Sequence, residues 1–197
     1  MQRKTSLKRN SKKKQVEIEV RFIEIDKNKL IKRLIEIGAK DLGEDLLRET
    51  IFYNEKEHWR DIGKFVRMRQ TKKGIFVTFK EKSDLQSIEV VELEFQTNTW
   101  NTTELFLQEL GIQPARFQEK KRHTFKIEDV TIDIDTWPSV PSYVEIEGPS
   151  EKRLKEVAEN LRLKWENVIF GGAAYVLSNF YNIPVKSLRY FTFGKIE

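Results

Sequence analysis

Apolar and charged residues alternate strictly from Val16 to Phe22: Val16, Ile18, Val20 and Phe22 fall on one side, and Glu17, Glu19 and Arg21 on the other. A period of two over this length predicts a β-strand with one apolar and one charged face. The pattern then changes period. Asp26 is placed to cap a helix whose apolar positions Leu30, Ile31, Leu34 and Ile37 follow helical spacing, with Gly38 as its stop. Residues 46–54 read as a second strand, and the polar span 54–63, with Asp61 and Gly63, as a loop. Alternation returns from Phe65 to Gln70, turns at Lys72-Lys73-Gly74, and runs back from Ile75 to Lys82. Another strand is predicted from Ser87 to Gln96 and a helix from about Asn101 to Leu110, capped by Asn101 or Thr102 and ended by Gly111. Ser150 opens an amphipathic helix with Leu154, Val157, Ala158 and Leu161 on its buried face. Residues 172–182 read as a further helix, and Leu188 to Phe193 as a final strand.

The polar faces of the strands share one feature. Charges of a single sign recur at i and i+2: Glu17/Glu19, Arg67/Arg69, Lys80/Lys82, Glu92/Glu94, Lys120/Arg122, Asp133/Asp135 and Glu145/Glu147. Two such groups lie about 7 Å apart on a strand and repel unless a counter-charge sits between them. One pair is what any solvated sheet face carries. Seven are not, because an ordinary wet face would interleave signs to gain ~0.2–1 kcal/mol per cross-strand pair. The helices need the apolar strand faces to bury their own stripes, so the charged faces point away from them. They face either open water or the lumen of a barrel, which about eight strands can close. Unpaired buried charges cost several kcal/mol each, so such a lumen would hold water, ions and an anion.

The 197 residues suit one domain with a sizeable core. With no cysteine, disulfides and thiolate metal sites are excluded and a cytoplasmic setting is expected. No apolar run reaches the ~18 residues of a membrane span. The net charge of +5 misleads, because residues 1–15 hold seven basic residues and no acid. Without them the remaining body is slightly acidic. The division expected is therefore a basic, disordered tail over 1–15 and a single domain over 16–197. The tail would contact nucleic acid only non-specifically, since it has no aromatic residue to stack on bases. His58 and His123 are too few and too far apart for a zinc site, and no P-loop run exists. The four tryptophans read as packing residues.

In order and approximate spacing these pairs, with the opening Glu17-Ile18-Glu19-Val20-Arg21 and the late Val144-Glu145-Ile146-Glu147-Gly148, resemble the CYTH family over roughly residues 16–193. These triphosphate tunnel metalloenzymes include class IV adenylyl cyclases, thiamine triphosphatases and inorganic triphosphatases. The resemblance implies an α+β fold: an eight-stranded antiparallel closed β-barrel, or tunnel, with a charged lumen and helices packed outside. It implies Mg2+ or Mn2+ as cofactor, held by Glu17, Glu19, Asp135, Glu145 and Glu147, with Glu94 and Asp133 as further ligands. Arg21, Arg67, Arg69, Lys80, Lys120 and Arg122 would clamp phosphate oxygens, and Glu17, Glu19, Arg21 and Lys80 would form the catalytic set. The expected partner is a small molecule carrying a triphosphate, the protein being a monomer or homodimer away from membranes.

Three positions depart from the family pattern. Arg21 stands where a lysine is usual, Asn54 where aspartate is common, and a Trp137–Ser142 turn replaces one with glycine. Arg is a planar fork and Lys a point charge, so the first departure changes geometry and keeps the charge. The activity expected is metal-dependent hydrolysis of a phosphoanhydride bond. The alternatives are cyclisation of ATP to cyclic AMP and pyrophosphate, and a non-catalytic nucleotide or polyphosphate binder.

Overall fold

The computed structural model describes the backbone of residues 15–82 and 89–197, and side chains over 18–81 and 91–197. All of the expected basic tail but Gln15 lies outside these, as do the side chains of Glu17 and Lys82 and the first two residues of the strand expected from Ser87. Eight long strands carry the fold: β1 (Gln15–Phe22), β2 (Lys40–Tyr53), β3 (Lys64–Thr71), β4 (Gly74–Lys82), β5 (Glu89–Thr97), β6 (Gln113–Ile127), β7 (Val130–Thr136) and β8 (Tyr143–Gly148). Four helices accompany them: α1 (Lys27–Glu36), α2 (Trp100–Glu109), α3 (Glu151–Asn160) and α4 (Ala173–Phe180).

Alternation explains where each strand sits. The outward residues Val20 and Phe22 of β1, Ile132 and Ile134 of β7, and Val144 and Ile146 of β8 form one core with Leu30 and Leu34 of α1 and Leu154, Val157 and Ala158 of α3. Each such side chain is worth about 1.5–3 kcal/mol when fully buried. Both helices start as their sequences require: Asp26 accepts from the Lys29 amide, and Ser150 from the Arg153 amide. Gly38 takes φ +79°, and α1 stops there. A second core gathers Phe52, Val66, Met68 and Val77 under Leu107 of α2. That helix begins a residue or two earlier than expected, at Trp100 after Thr99, and has no side-chain cap bond.

The strand order is β2-β3-β4-β5-β1-β8-β7-β6, and β2 also pairs with β6. That last pairing joins the two ends of the order over most of β2. The wall is nevertheless not the uniformly closed barrel that was expected. β1 bonds β5 only through Gln15–Ile18 and β8 only through Ile18–Phe22, so the two pairings share a single residue. Beyond Ile18 no described residue of β5 pairs with β1, and the eight antiparallel strands form a tunnel-like curl. One strand runs longer than the sequence suggested. β2 starts at Lys40 and crosses an irregularity between Asp41 and Glu44, where Gly43 adopts φ +89°. The final strand is shorter than expected: β9 is only Tyr190–Phe191, parallel to β6.

The chain after α3 returns to the tunnel. Ile169 exchanges two backbone hydrogen bonds with Arg21. Val176 and Leu177 of α4, Val185 and Phe191 pack on Trp137 and Tyr143 in a third core at the end of the lumen where β1 and β7 finish and β6 and β8 begin. No helix among the described residues is long and apolar enough to cross a membrane.

Candidate functional site

The strand order sorts the charges. On the inner face, β5, β1, β8 and β7 are neighbours and present Glu92, Glu94, Glu19, Glu147, Glu145, Asp135 and Asp133. The other four neighbours, β6, β2, β3 and β4, present Arg116, Lys120, Arg122, Arg67, Arg69 and Lys80. One wall is thus acidic and the other basic, which is why the signs did not interleave along any one strand. Among the described residues that line the cavity, each wall presents one inverted charge: Arg21 among the acids and Glu49 among the bases.

Ion pairs stitch the walls where they meet. At the β4/β5 seam Lys80 and Glu92 are register partners, with Nζ 2.6 Å from Oε2. At the β6/β7 seam Arg122 is the register partner of Asp135. It donates to both Asp135 oxygens at 2.7 Å, to Asp133 at 2.5 Å and to Glu145 at 3.1 Å. Lys120 adds a third bond to Asp135, Nζ to Oδ2 at 2.8 Å, and its ammonium lies 5.1 Å from the Trp137 ring centre. Arg21 spreads two ends of its fork: Nη2 reaches Glu145 at 2.5 Å and Glu19 at 3.0 Å, Nη1 donates to the carbonyl of Gly171, and the buried Nε has no hydrogen-bond partner. A lysine would bring a point charge in place of this planar fork.

These pairs fix protonation. Burial pushes the carboxyls of Glu49, Asp135 and Glu145 up, but the neighbouring cations outweigh it and hold all three below the usual range. For Glu49 the cations are Arg69 and Arg67, and for Glu145 Arg21 and Arg122. Asp133 goes the other way, because burial and the charges of Asp135 and Glu145 exceed the pull of Arg122. Burial and the adjacent Arg122 lower the Lys120 ammonium. Glu49, Asp135 and Glu145 therefore stay charged through the neutral range.

Between the walls lies a cavity of about 690 Å³, within the ~300–1,000 Å³ usual for small-molecule sites. Among the described residues, ten basic and six acidic side chains line it. The excess of four positive charges suits a ligand of about that negative charge. Glu19, Arg21, Arg67, Arg69, Lys80, Glu94, Lys120, Arg122, Glu145 and Glu147 all reach this cavity as the sequence predicted. Asp133 and Asp135 do not line it and instead sit behind Arg122 and Lys120. For Glu17 only the backbone is described, opposite Val90.

Several lining residues had no place in the sequence reading. Glu49, Arg116 and Gln118 are buried lumen residues. The last two continue, by twos, the series ending in Lys120 and Arg122, which was a usable signal. Glu49 alternates with Ile51 and Tyr53 and so formed no charge pair. The segment Gly172–Asn179, with Val185 and Lys186, also lines the cavity. His123 faces outward to Asp41 at 2.7 Å, as its alternation with Arg122 requires.

A hard divalent cation fits the donor chemistry, since Glu19, Glu94, Glu145 and Glu147 supply only carboxylate oxygen to the cavity. Glu19 and Glu147 are direct register partners, a like-charge pairing that is unfavourable without a cation. Among the described residues no three acidic, histidine or cysteine side chains already converge as a ready-made ion cage. That is compatible with Mg2+, which takes one or two carboxylates and completes its shell with water and phosphate.

Comparison with known proteins agrees with this arrangement. A Methanocaldococcus jannaschii protein named as a candidate adenylate cyclase is 25% identical over 154 residues, covering 75% of this chain and 88% of that protein. The solved PH1012 protein of Pyrococcus horikoshii superposes with a TM-score of 0.66 at 24% identity, over 78% of this chain and 94% of its own. A Hippeastrum protein, titled as a candidate adenylyl cyclase with a dominant triphosphatase activity, superposes at 0.58 with 14% identity, covering 87% and 98%. The CYTH domain model matches residues 15–170, which takes in all eight long strands, and the chain belongs to that family.

Proposed function

We propose that this protein is a divalent-metal-dependent triphosphatase that binds a triphosphate in its charged lumen and hydrolyses a phosphoanhydride bond. The observation that carries this reading is the pairing of one basic and one acidic wall across a single cavity with four positive charges in excess. Phosphoryl transfer needs positioning and charge neutralisation more than covalent chemistry. Arg67, Arg69, Lys80, Lys120 and Arg122 bind and orient the phosphate oxygens by charge-assisted hydrogen bonds. Arg21 places Glu19 and Glu145 on the opposite wall. Glu19, Glu145 and Glu147, with Glu17 and Glu94, would hold Mg2+ or Mn2+, and Asp135 would support them from behind through Lys120 and Arg122. When bound, the ion supplies Lewis-acid neutralisation of developing phosphate charge. The segment Gly172–Asn179 limits water at its end of the lumen. The dominant triphosphatase activity of the similar Hippeastrum protein supports hydrolysis over cyclisation.

The test is incubation with Mg2+ or Mn2+ and either tripolyphosphate or ATP, followed by product identification. Orthophosphate release from tripolyphosphate is expected and should cease with EDTA. Cyclic AMP and pyrophosphate from ATP would replace the proposal with a cyclase. Saturable binding with no product would make the protein a binding module.

A further inference from the structure

Glu49 is the single carboxylate that the basic wall presents to the cavity among the described residues, and it is 2% exposed. Its Oε1 accepts from Arg69 Nε at 2.5 Å, and the two are register partners on β2 and β3. Its Oε2 accepts from Gln118 Nε2 at 2.6 Å. Gln118 Oε1 in turn accepts from Arg116 Nε at 2.8 Å, and Arg116 Nη1 donates to the Val185 carbonyl at 2.7 Å. Arg116 and Gln118 are each 6% exposed. A buried chain of hydrogen bonds therefore runs from the segment after α4 to the arginines of β3.

The polarity of this chain is fixed. A guanidinium only donates and a carboxylate only accepts, so the Gln118 amide has one orientation that satisfies both neighbours. Arg67 stands beside it: its Nε, 3.9 Å from Glu49 Oε1, is buried without a hydrogen-bond partner, while Nη2 donates to Thr78 Oγ1 at 3.5 Å. Arg67 and Arg69 project from one strand face and repel each other, and Glu49 is the counter-charge that keeps both on this wall.

We infer that Glu49, Gln118 and Arg116 form a positioning relay that sets the Arg67 and Arg69 guanidiniums for phosphate and ties them to the Val185 backbone. This rests on the triphosphate-binding reading above and adds to it a set of residues that act through Arg67 and Arg69. The substitution Glu49→Gln makes a sharp probe. It places an NH2 group against the Gln118 NH2, and flipping Gln118 only moves the donor–donor clash to Arg116. One link must break.

The experiment measures tripolyphosphate binding by calorimetry, steady-state turnover, and the ligand-free 15N resonance of Arg116 Nε. Wild type, Glu49→Gln and Gln118→Met are compared after circular dichroism confirms folding. In Glu49→Gln the dissociation constant and KM are expected to rise about tenfold, with kcat changed less than about threefold. The Arg116 Nε resonance shifts although Arg116 does not touch residue 49. Gln118→Met gives a smaller change in the same direction, and it decides the matter if Glu49→Gln does not fold. Tighter binding in Glu49→Gln would show Glu49 to be mere background charge and would overturn the relay. So would unchanged binding, or an unmoved Arg116 signal. If the wild type neither binds nor turns over tripolyphosphate, the triphosphate reading fails, and the ligand-free resonance still tests the relay.

Discussion

Replacing Asp135 with asparagine tests the charge architecture at its most buried point. Asp135 is fully buried and accepts three bonds from Arg122 and Lys120, all at 2.7–2.8 Å. Asparagine keeps the volume but removes the charge and turns an NH2 toward a cation. Lys120 then loses its close carboxylate, while Arg122 keeps Asp133 and Glu145. Breaking a buried pair by removing one partner costs about 3–5 kcal/mol. For a chain of this size each kcal/mol moves Tm by about 2–4 °C, so a fall of roughly 6–20 °C is expected. The variant should also respond more strongly to an anion. A ligand at 100 times its Kd contributes about 2.7 kcal/mol, and the uncompensated cations of the variant should draw more stabilisation from tripolyphosphate than the wild type does. Scanning calorimetry with and without tripolyphosphate reads both effects. A Tm within about 2 °C of wild type, or equal stabilisation of the two proteins by the anion, would refute the reasoning.

Two further outcomes follow from the same walls. Glu147→Gln removes one of the two opposed carboxylates, and it should raise the Mn2+ concentration for half-maximal activity at least tenfold and lower turnover by roughly a hundredfold. Manganese titration followed by electron paramagnetic resonance checks the first part. Stability should fall on the acid side. The depressed carboxyls of Glu49, Asp135 and Glu145 contribute fully above their unfolded values of 4.5, 3.8 and 4.5 and lose that contribution as pH drops through their lower folded values. Asp133, raised from 3.8, opposes them, since its contribution is present at low pH and lost as pH rises through its folded value. Three depressed groups outweigh one raised group, so Tm should decline as pH falls from about 5 toward 2.5. A flat profile would show that the pairs do not form.

Much of the site was legible because the strand period is two and the inner face carries charge. Every i,i+2 pair whose side chains are described falls on the inner side of its strand. What alternation does not encode is which strands become neighbours. The separation into an acidic and a basic wall depends on β1 lying between β5 and β8, and no local pattern states that. Glu49 was hidden because its strand mates Ile51 and Tyr53 are apolar. Arg116 and Gln118 were hidden because the glutamine breaks a run of charges. The helix over 172–182 was anticipated, but a short apolar helix has the same sequence signature whether it packs outside a sheet or beside a lumen. The change of partner at β1 was equally invisible, since an alternating strand gives no sign of passing from β5 to β8 at Ile18.

That switch of partners bears on how the molecule comes together. β3 to β5 are joined by short connections and can pair soon after they exist. β1 must wait for β8, because Phe22 meets Val144 about 120 residues later, and Arg21 then meets Ile169 later still. Contacts of such high sequence separation close large loops and slow folding. The site is therefore the last thing to appear during synthesis, when Arg21 finally reaches Glu145 and Gly171. A nascent chain on the ribosome holds its basic hairpins exposed before the acidic wall is complete, and in that interval it is a general polyanion trap rather than a selective one.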